Sequence, residues 1–323
     1  MNIDMINEAA IRIKGHARRT PMLTSPFVDE IAGRRVLLKC EALQHTGSFK
    51  FRGGWSMVST LTPQQLKAGV IAFSSGNHAQ GVAYAAKMHG APATIVMPAD
   101  APKIKIENTR ALGAKVVLYD RATEDRDEIG ARLAGNELTL IKPYDEPLVI
   151  AGQGTTGLEI AEQAAELDVE KADVLVNCGG GGLTSGIALA LEEKAPKMCV
   201  RPVEPVGFDD VARSLKAGEI KANEQLSGSI CDAIITPQPG DITFPILKRL
   251  CGEGLVVPEE DCLRAMAVAF ARLKVVLEPG GATALAAALY HGDKIQGDAV
   301  IAVATGGNVD APMFQTALSK YGS

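Results

Sequence analysis

Aromatic residues are scarce in this chain of 323 residues: one Trp, five Tyr and eight Phe make up 4% of it. That is too few for the aromatic-rich patch of a protein-docking module. Positive charge is also short, because 33 Lys and Arg face 38 Asp and Glu for a formal net charge of -5. No basic stripe gathers that could neutralise a run of phosphates, which excludes nucleic acid as a partner. The six cysteines, Cys40, Cys178, Cys199, Cys231, Cys251 and Cys262, are widely spread and form no C-x-x-C pair. This excludes a disulfide scaffold and leaves reduced thiols in a cytoplasmic protein as the expectation. No run is apolar and uncharged for long enough to span a bilayer, so no membrane association is expected. The amino terminus, MNIDMINEAAIRIKGHARR, lacks the apolar stretch of a signal peptide and reads as an amphipathic helix. Repeats of fixed period, low-complexity segments and long like-charge runs are absent as well.

What is present is the composition of a loop-rich α/β enzyme: 46% hydrophobic, 22% charged, and 33 glycines. From Gly69 short β-branched runs alternate with helical stretches. GVIAF is followed by Asn77 to His89, ATIVM by Pro102 to Leu112, and KVVLY by Ala122 to Leu133. The rhythm resumes with a helix from Gly154 to Leu167, the strand VLVNC, a helix from Leu183 and the strand CVRPV, and AVIAVAT reads as a further buried strand. Alternation of this kind means parallel strands with crossover helices. Breaks near His45 and over KPYDEPLVIAGQGT divide the chain into a large discontinuous domain, residues 1–45 and 145–323, and a small mobile domain, residues 46–144.

Two glycine turns stand out. VLVNCGGGGLTSG places Gly179, Gly180, Gly181 and Gly182 between a strand and a helix, where free backbone N–H groups and the positive helix end hold an anion. The alternative is a tight turn without a ligand. A dinucleotide fingerprint would suit Glu204 at the end of the next strand, but no register of the loop gives G-x-G-x-x-G. A lone phosphate fits better. IAFSSGNHAQG offers Ser74, Ser75, Gly76, Asn77 and His78 at another helix start, as a carboxylate cradle or a simple N-cap. Lys50, in LQHTGSFKFRGG, lies among small residues that leave room for a flat cofactor at its amine. An ordinary solvated lysine is the plain alternative.

The ordered motifs SFKFRG, SSGNHAQG, AGQGT, CGGGGL, VEP and TGGNVD span nearly the whole chain. Together they resemble the fold-type II pyridoxal-phosphate family of serine and threonine dehydratases and serine racemases. The resemblance implies an α/β fold of two parallel-sheet lobes, the tryptophan synthase β-like architecture, and a homodimer. It makes Lys50 the residue that joins pyridoxal 5'-phosphate and later removes the α-proton. It packs Phe49 on the pyridine ring, sets Asn77 on the phenolic oxygen, makes Gly179 to Gly182 with Leu183 the phosphate cup, and puts Thr305 at the pyridine nitrogen. Ser74, Ser75, Asn77 and His78 become the pocket for the substrate carboxylate, with Thr46 at its edge. Ser75 stands opposite the lysine, where racemases keep their second acid and base.

Glu204, Asp210 and the carbonyl of Phe208, in VEPVGFDD, resemble the family's divalent cation site, whose oxygen ligands suit Mg²⁺ or Ca²⁺; the plain reading is an acidic turn. Ala233 replaces a glycine that normally faces the cofactor ring, so its methyl tilts the ring or narrows the pocket, and Trp55 is also unusual for the family. The implied reaction is loss of water and then ammonia from a small β-hydroxy amino acid, leaving a keto acid. Threonine, serine and 3-hydroxyaspartate share the reacting atoms. A distal carboxylate would call for a cation such as His45 or Arg132. Serine racemase activity remains open. A β-replacement enzyme of the cysteine synthase kind usually has Thr where His78 stands, a nicotinamide dehydrogenase fails on glycine spacing, and a non-catalytic binding relative would be expected to have lost Lys50.

Overall fold

Each β-branched run named above becomes a strand. The computed structural model describes residues 1–74, 76–120, 123, 124, 126–135 and 137–322. Its strands are β1 (Met22–Leu23), β2 (Arg35–Cys40), β3 (Val70–Phe73), β4 (Ala93–Pro98), β5 (Lys115–Tyr119), β6 (Thr139–Leu140), β7 (Asp173–Asn177), β8 (Cys199–Pro205), β9 (Leu255–Val257) and β10 (Ala299–Ala304). They form two sheets, ordered β1-β2-β10-β7-β8-β9 and β5-β4-β3-β6. Every pairing is parallel except that of β1 with β2. All residues of β7 and β10 are buried, as parallel strands covered by helices on both faces require.

One face of the larger sheet packs on the helices Glu259–Val268 and Pro279–Tyr290, through Leu38, Leu175, Val203, Met266 and Leu285. Val174, Val176, Ile301 and Val303 fill the other face together with Ile160 and Ile187. The amino-terminal helix Ile3–Ile13 sets Ile6 and Ala9 against Ala151, Leu189 and Ala190. Among the described residues no helix is long and apolar enough to cross a membrane.

Two helix starts differ from expectation. The helix expected from Gly154 begins at Pro147 and runs to Glu166, so AGQG lies inside it and the break between lobes is short. The glycines are there for contact: a Cβ on Gly154 would lie 2.9 Å from the Gly186 carbonyl oxygen of the crossing helix Gly182–Lys194. The helix expected from Ala122 runs over Arg126–Ala134, and Ala122 itself lies outside the described residues. β6 was not foreseen, since two residues carry no periodicity. It matters here because it borders β3. The carboxyl ends of β3, β6 and β7 open on one cleft, the usual place for a ligand in parallel sheets.

Candidate active site

Lys50 is the first residue of the helix Lys50–Val58, and the strand-like stretch before it is tied down. The Phe49 N–H donates to the Thr305 carbonyl at 3.1 Å, the Gly307 N–H donates to the Gly47 carbonyl at 2.9 Å, and Ser48 bridges Gly306. Behind it, Arg52 is fully buried against Glu41 (2.8 Å) and Glu159 (2.7 Å). Burial alone would raise the Glu41 carboxyl, but the Arg52 guanidinium holds it below its ordinary value. The arginine of SFKFRG is therefore structural. Lys50 Nζ donates to the Pro143 carbonyl at 2.8 Å and lies 5.1 Å from the centre of the Phe49 ring. Its half-buried side chain faces a cavity of about 490 Å³. Burial pushes its ammonium down to about 8, which makes the neutral, nucleophilic amine accessible near neutrality.

The four glycines line the same cavity and lead into the helix Gly182–Lys194. Gly181 has φ +92°, a conformation that favours glycine, and it ends the loop so that no side chain caps the helix. The loop is braced from behind, where the Thr243 hydroxyl donates to the Gly180 carbonyl at 2.6 Å and Asp145 accepts from the Ile242 N–H at 2.8 Å. The Tyr144 ring lies so close to Gly180 that a Cβ there could not be accommodated. Two side chains on the cavity wall, Gln153 and Thr184, are buried with no hydrogen-bond partner for the Gln153 amide or the Thr184 hydroxyl. Uncapped N–H groups with idle buried donors beside them suit a phosphate.

Opposite the loop, β3 ends in the turn that carries Ser74, Gly76, Asn77 and His78, all on the cavity wall. Ser74 Oγ accepts from the Gly76 N–H at 3.1 Å. Ser75 lies outside the described residues. Asn77 Nδ2 donates to Glu278 at 2.5 Å, and Asn77 Oδ1 accepts from Asn308 at 2.8 Å. Lys105 pairs with both Glu278 (3.1 Å) and Asp232 (3.3 Å). Burial raises the Glu278 carboxyl despite Lys105; burial opposes charge on Lys105 as well, but Glu278 and Asp232 lift its ammonium above the ordinary value. His78 Nε2 contacts the Ile141 carbonyl at 2.8 Å. A carbonyl only accepts, so the proton is on Nε2, and the buried Nδ1 has no partner. Burial, then the nearby Lys50, pushes His78 down to about 3. The ring is thus neutral, and a carboxylate here meets the His78 backbone N–H rather than the imidazole.

A family profile described as "Pyridoxal-phosphate dependent enzyme" matches residues 13–306. The chain belongs to that family. This pyridoxal-phosphate dependent enzyme is 44% identical over 312 residues to the L-threo-3-hydroxyaspartate ammonia-lyase of Pseudomonas sp., with 96% of each chain covered. It is 40% identical over 318 residues to the serine racemase of Schizosaccharomyces pombe, covering 98% of this chain and 97% of that one. Among solved structures, the crystal structure of a threonine deaminase from T.th. matches with a TM-score of 0.90 at 43% identity, over 96% of this chain and 99% of that one.

The residues present fit the cofactor: an amine with a lowered pKa, a glycine cup with idle donors, and Phe49 beside them. Thr305 stands one layer back, where its hydroxyl accepts from Asn177 Nδ2 at 2.8 Å and Asn177 forms part of the wall. Ala233 is on the wall too. Three expectations fail. Thr46 and His45 line a separate cavity of about 520 Å³ with Arg18, Gln80 and Asn308, because the chain turns away at Gly47 before reaching Lys50. Arg132 is exposed on the helix Arg126–Ala134 and is not part of the wall.

Glu204 and Asp210 lie behind the glycine loop, outside the cavity. Glu204 accepts from the Val211 and Ala212 N–H groups at 3.0 and 2.7 Å, and Asp210 Oδ1 accepts from Asn223 at 2.6 Å. Asp210 Oδ2 is buried without a partner. Burial, with Asp210 beside it, pushes the Glu204 carboxyl well up, and burial pushes Asp210 up to about 7. Among the described residues no three His, Cys, Asp or Glu side chains converge as a metal cluster, so a cation would rely on two carboxylates, a carbonyl and water. The sequence reading missed Gln153, Thr184, Lys105, Glu278, Asp232 and Lys142. Gln153 and Thr184 sit inside stretches quoted above, AGQGT and VLVNCGGGGLTSG, and their polarity on otherwise apolar helix faces was the available signal.

Proposed function

We propose that this enzyme removes water and ammonia from a small β-hydroxy amino acid to give a 2-keto acid, with 3-hydroxyaspartate as the leading substrate and serine and threonine as the alternatives. The observation that carries the reading is the Lys50 amine, set between the phosphate cup and the Ser74–His78 turn in one cavity. Pyridoxal phosphate, when bound, supplies the electron sink for the pair left on the α-carbon. Lys50 holds it, assisted by the loop N–H groups, Gln153 and Thr184 at the phosphate, Phe49 at the ring, Asn77 at one polar edge, and Asn177 on the wall with Thr305 behind it. Asn177 and Thr305 are both uncharged and would give the ring nitrogen no counter-charge, which favours β-elimination over deeper carbanion chemistry. Ser74 and the N–H groups of Asn77 and His78 orient the α-carboxylate. With the cofactor bound, the Lys50 amine would take the α-proton, the β-hydroxyl would gain a proton from water and depart as water, and hydrolysis of the released enamine by a further water would give the keto acid and ammonia.

The test is Lys50→Ala. Borohydride reduction of the wild type should fix the cofactor mass on the Lys50 peptide, and the variant should lose both that mass and all keto-acid release. Absence of keto acid from serine, threonine and every 3-hydroxyaspartate stereoisomer would refute the proposed reaction. Hydroxyaspartate leads because Lys142 lines the cavity in addition to Lys50, which holds the cofactor, and Lys105, which Glu278 and Asp232 engage.

For Glu204, Asp210 and the Phe208 carbonyl we propose a Mg²⁺ or Ca²⁺ site that stiffens the back of the glycine loop. Support comes from the idle Asp210 oxygen and from oxygen-only ligands. Either cation should raise the unfolding temperature after chelation, and Asp210→Asn should abolish the rise; an equal rise in the variant would sink the site.

A further inference from the structure

The cavity lysines are not equivalent. Lys50 holds the cofactor in the proposed reaction, and Lys105 is already engaged by Glu278 and Asp232. Lys105 also lies against the turn that receives the α-carboxylate, since a Cβ on Gly76 would come within 3.2 Å of its Nζ. Lys142 is different. It lies on the cavity wall, is exposed, and has no ion-pair partner among the described residues. The nearest acidic wall residue in the chain, Asp145, is turned toward the Ile242 and Thr243 N–H groups.

The main chain fixes Lys142 from both sides. The Ile141 carbonyl accepts from His78 and the Pro143 carbonyl from Lys50, each at 2.8 Å. The Ile141 N–H donates to the Ile71 carbonyl at 2.9 Å, which continues the β6 register beside β3. The ladder ends there, since the Ile141 carbonyl faces His78, and the next residue, Lys142, lines the same cavity wall as Phe73 and Ser74 at the end of β3. The α-carboxylate turn, which follows β3, and a free ammonium, which follows β6, thus face one cavity.

We infer that Lys142 binds the distal carboxylate of a four-carbon dicarboxylic amino acid and so sets the preference for 3-hydroxyaspartate over serine and threonine. The inference deepens the proposed function and rests on it for the identity of the reacting substrate. Serine and threonine offer Lys142 only a hydroxymethyl or hydroxyethyl group, which gains nothing from a nearby charge. A charge-assisted contact in a closing cavity is worth about tenfold in binding or more.

Two measurements on the holoenzyme test it. In the first, kcat/KM is compared for L-threo-3-hydroxyaspartate and L-serine in wild type, Lys142→Ala and Lys142→Arg. The hydroxyaspartate-to-serine ratio should fall about tenfold in the alanine variant and be largely restored by arginine. A fall shared equally by both substrates, or no fall, overturns the inference. In the second, succinate and butyrate are titrated calorimetrically. Wild type should prefer the dicarboxylate and Lys142→Ala should lose that preference; a wild type without the preference, or a variant that keeps it, overturns the inference. Should the preference hold while hydroxyaspartate is not turned over, the assignment of Lys142 stands and the proposed substrate falls.

Discussion

At the scale of the residue, Lys50 is set for its task by burial rather than by a neighbouring charge. With its ammonium pushed down to about 8, the amine proposed to attack the cofactor aldehyde is scarce at low pH and abundant above 8. The rate of cofactor uptake by the free enzyme should rise about tenfold per pH unit and level off above 8. Stopped-flow absorbance checks this, and a rate flat from pH 6 to 9 would contradict it. Lys50 was legible because its surroundings are written in one contiguous string. The Lys105–Glu278 pair was not, since its partners stand 173 positions apart and neither residue sits in a pattern that marks it as buried. The place of His78 in a glycine turn was legible but its tautomer was not, because the tautomer depends on the Ile141 carbonyl, a backbone group that no side-chain motif reports.

Among the elements, the helix Lys50–Val58 is the one that positions the reacting group. It is anchored by Arg52, whose guanidinium bonds Glu41 and Glu159, while Glu159 also pairs with Lys39 of β2. Arg52→Met should leave Glu41 buried and uncompensated, at a cost of about 3–5 kcal/mol. Urea unfolding of the cofactor-free protein measures this, and Arg52→Met combined with Glu41→Gln should recover part of the loss. Trp55, unusual in the sequence, closes the other end of the helix: its Nε1 donates to the Arg12 carbonyl at 2.9 Å, and its ring stacks on His16 at 4.1 Å. It pins the amino-terminal helix. The long strands and amphipathic helices were readable from their periods. β6 and the early start of the helix Pro147–Glu166 were not, because two residues hold no period and glycines that permit close helix contact look like glycines that end a helix.

For the molecule as a whole, the two sheets meet at a cleft whose floor holds neutral or tightly paired groups, and this shapes its response to acid. His78 is held down to about 3 by burial, against an ordinary value of about 6.5. Its folded pKa is the lower one, so between those limits the unfolded chain binds the proton and the folded chain does not. Its contribution is complete above pH 6.5 and is lost as pH falls toward 3. Scanning calorimetry should show the unfolding temperature dropping on acidification through that window, less steeply in His78→Gln; an equal slope would remove His78 from the account. The fold class and the six motifs were visible in the chain because parallel sheets impose regular spacing. The meeting of β6 with β3 was not, and it brings Lys142 to the cavity. On either side of that lysine the main chain is occupied, Ile141 with His78 and Pro143 with Lys50. Position 142 is therefore a place where a side chain can be exchanged while the backbone that serves the catalytic groups stays put. A lineage of such enzymes could change its diet there one codon at a time without dismantling the apparatus that breaks the bond.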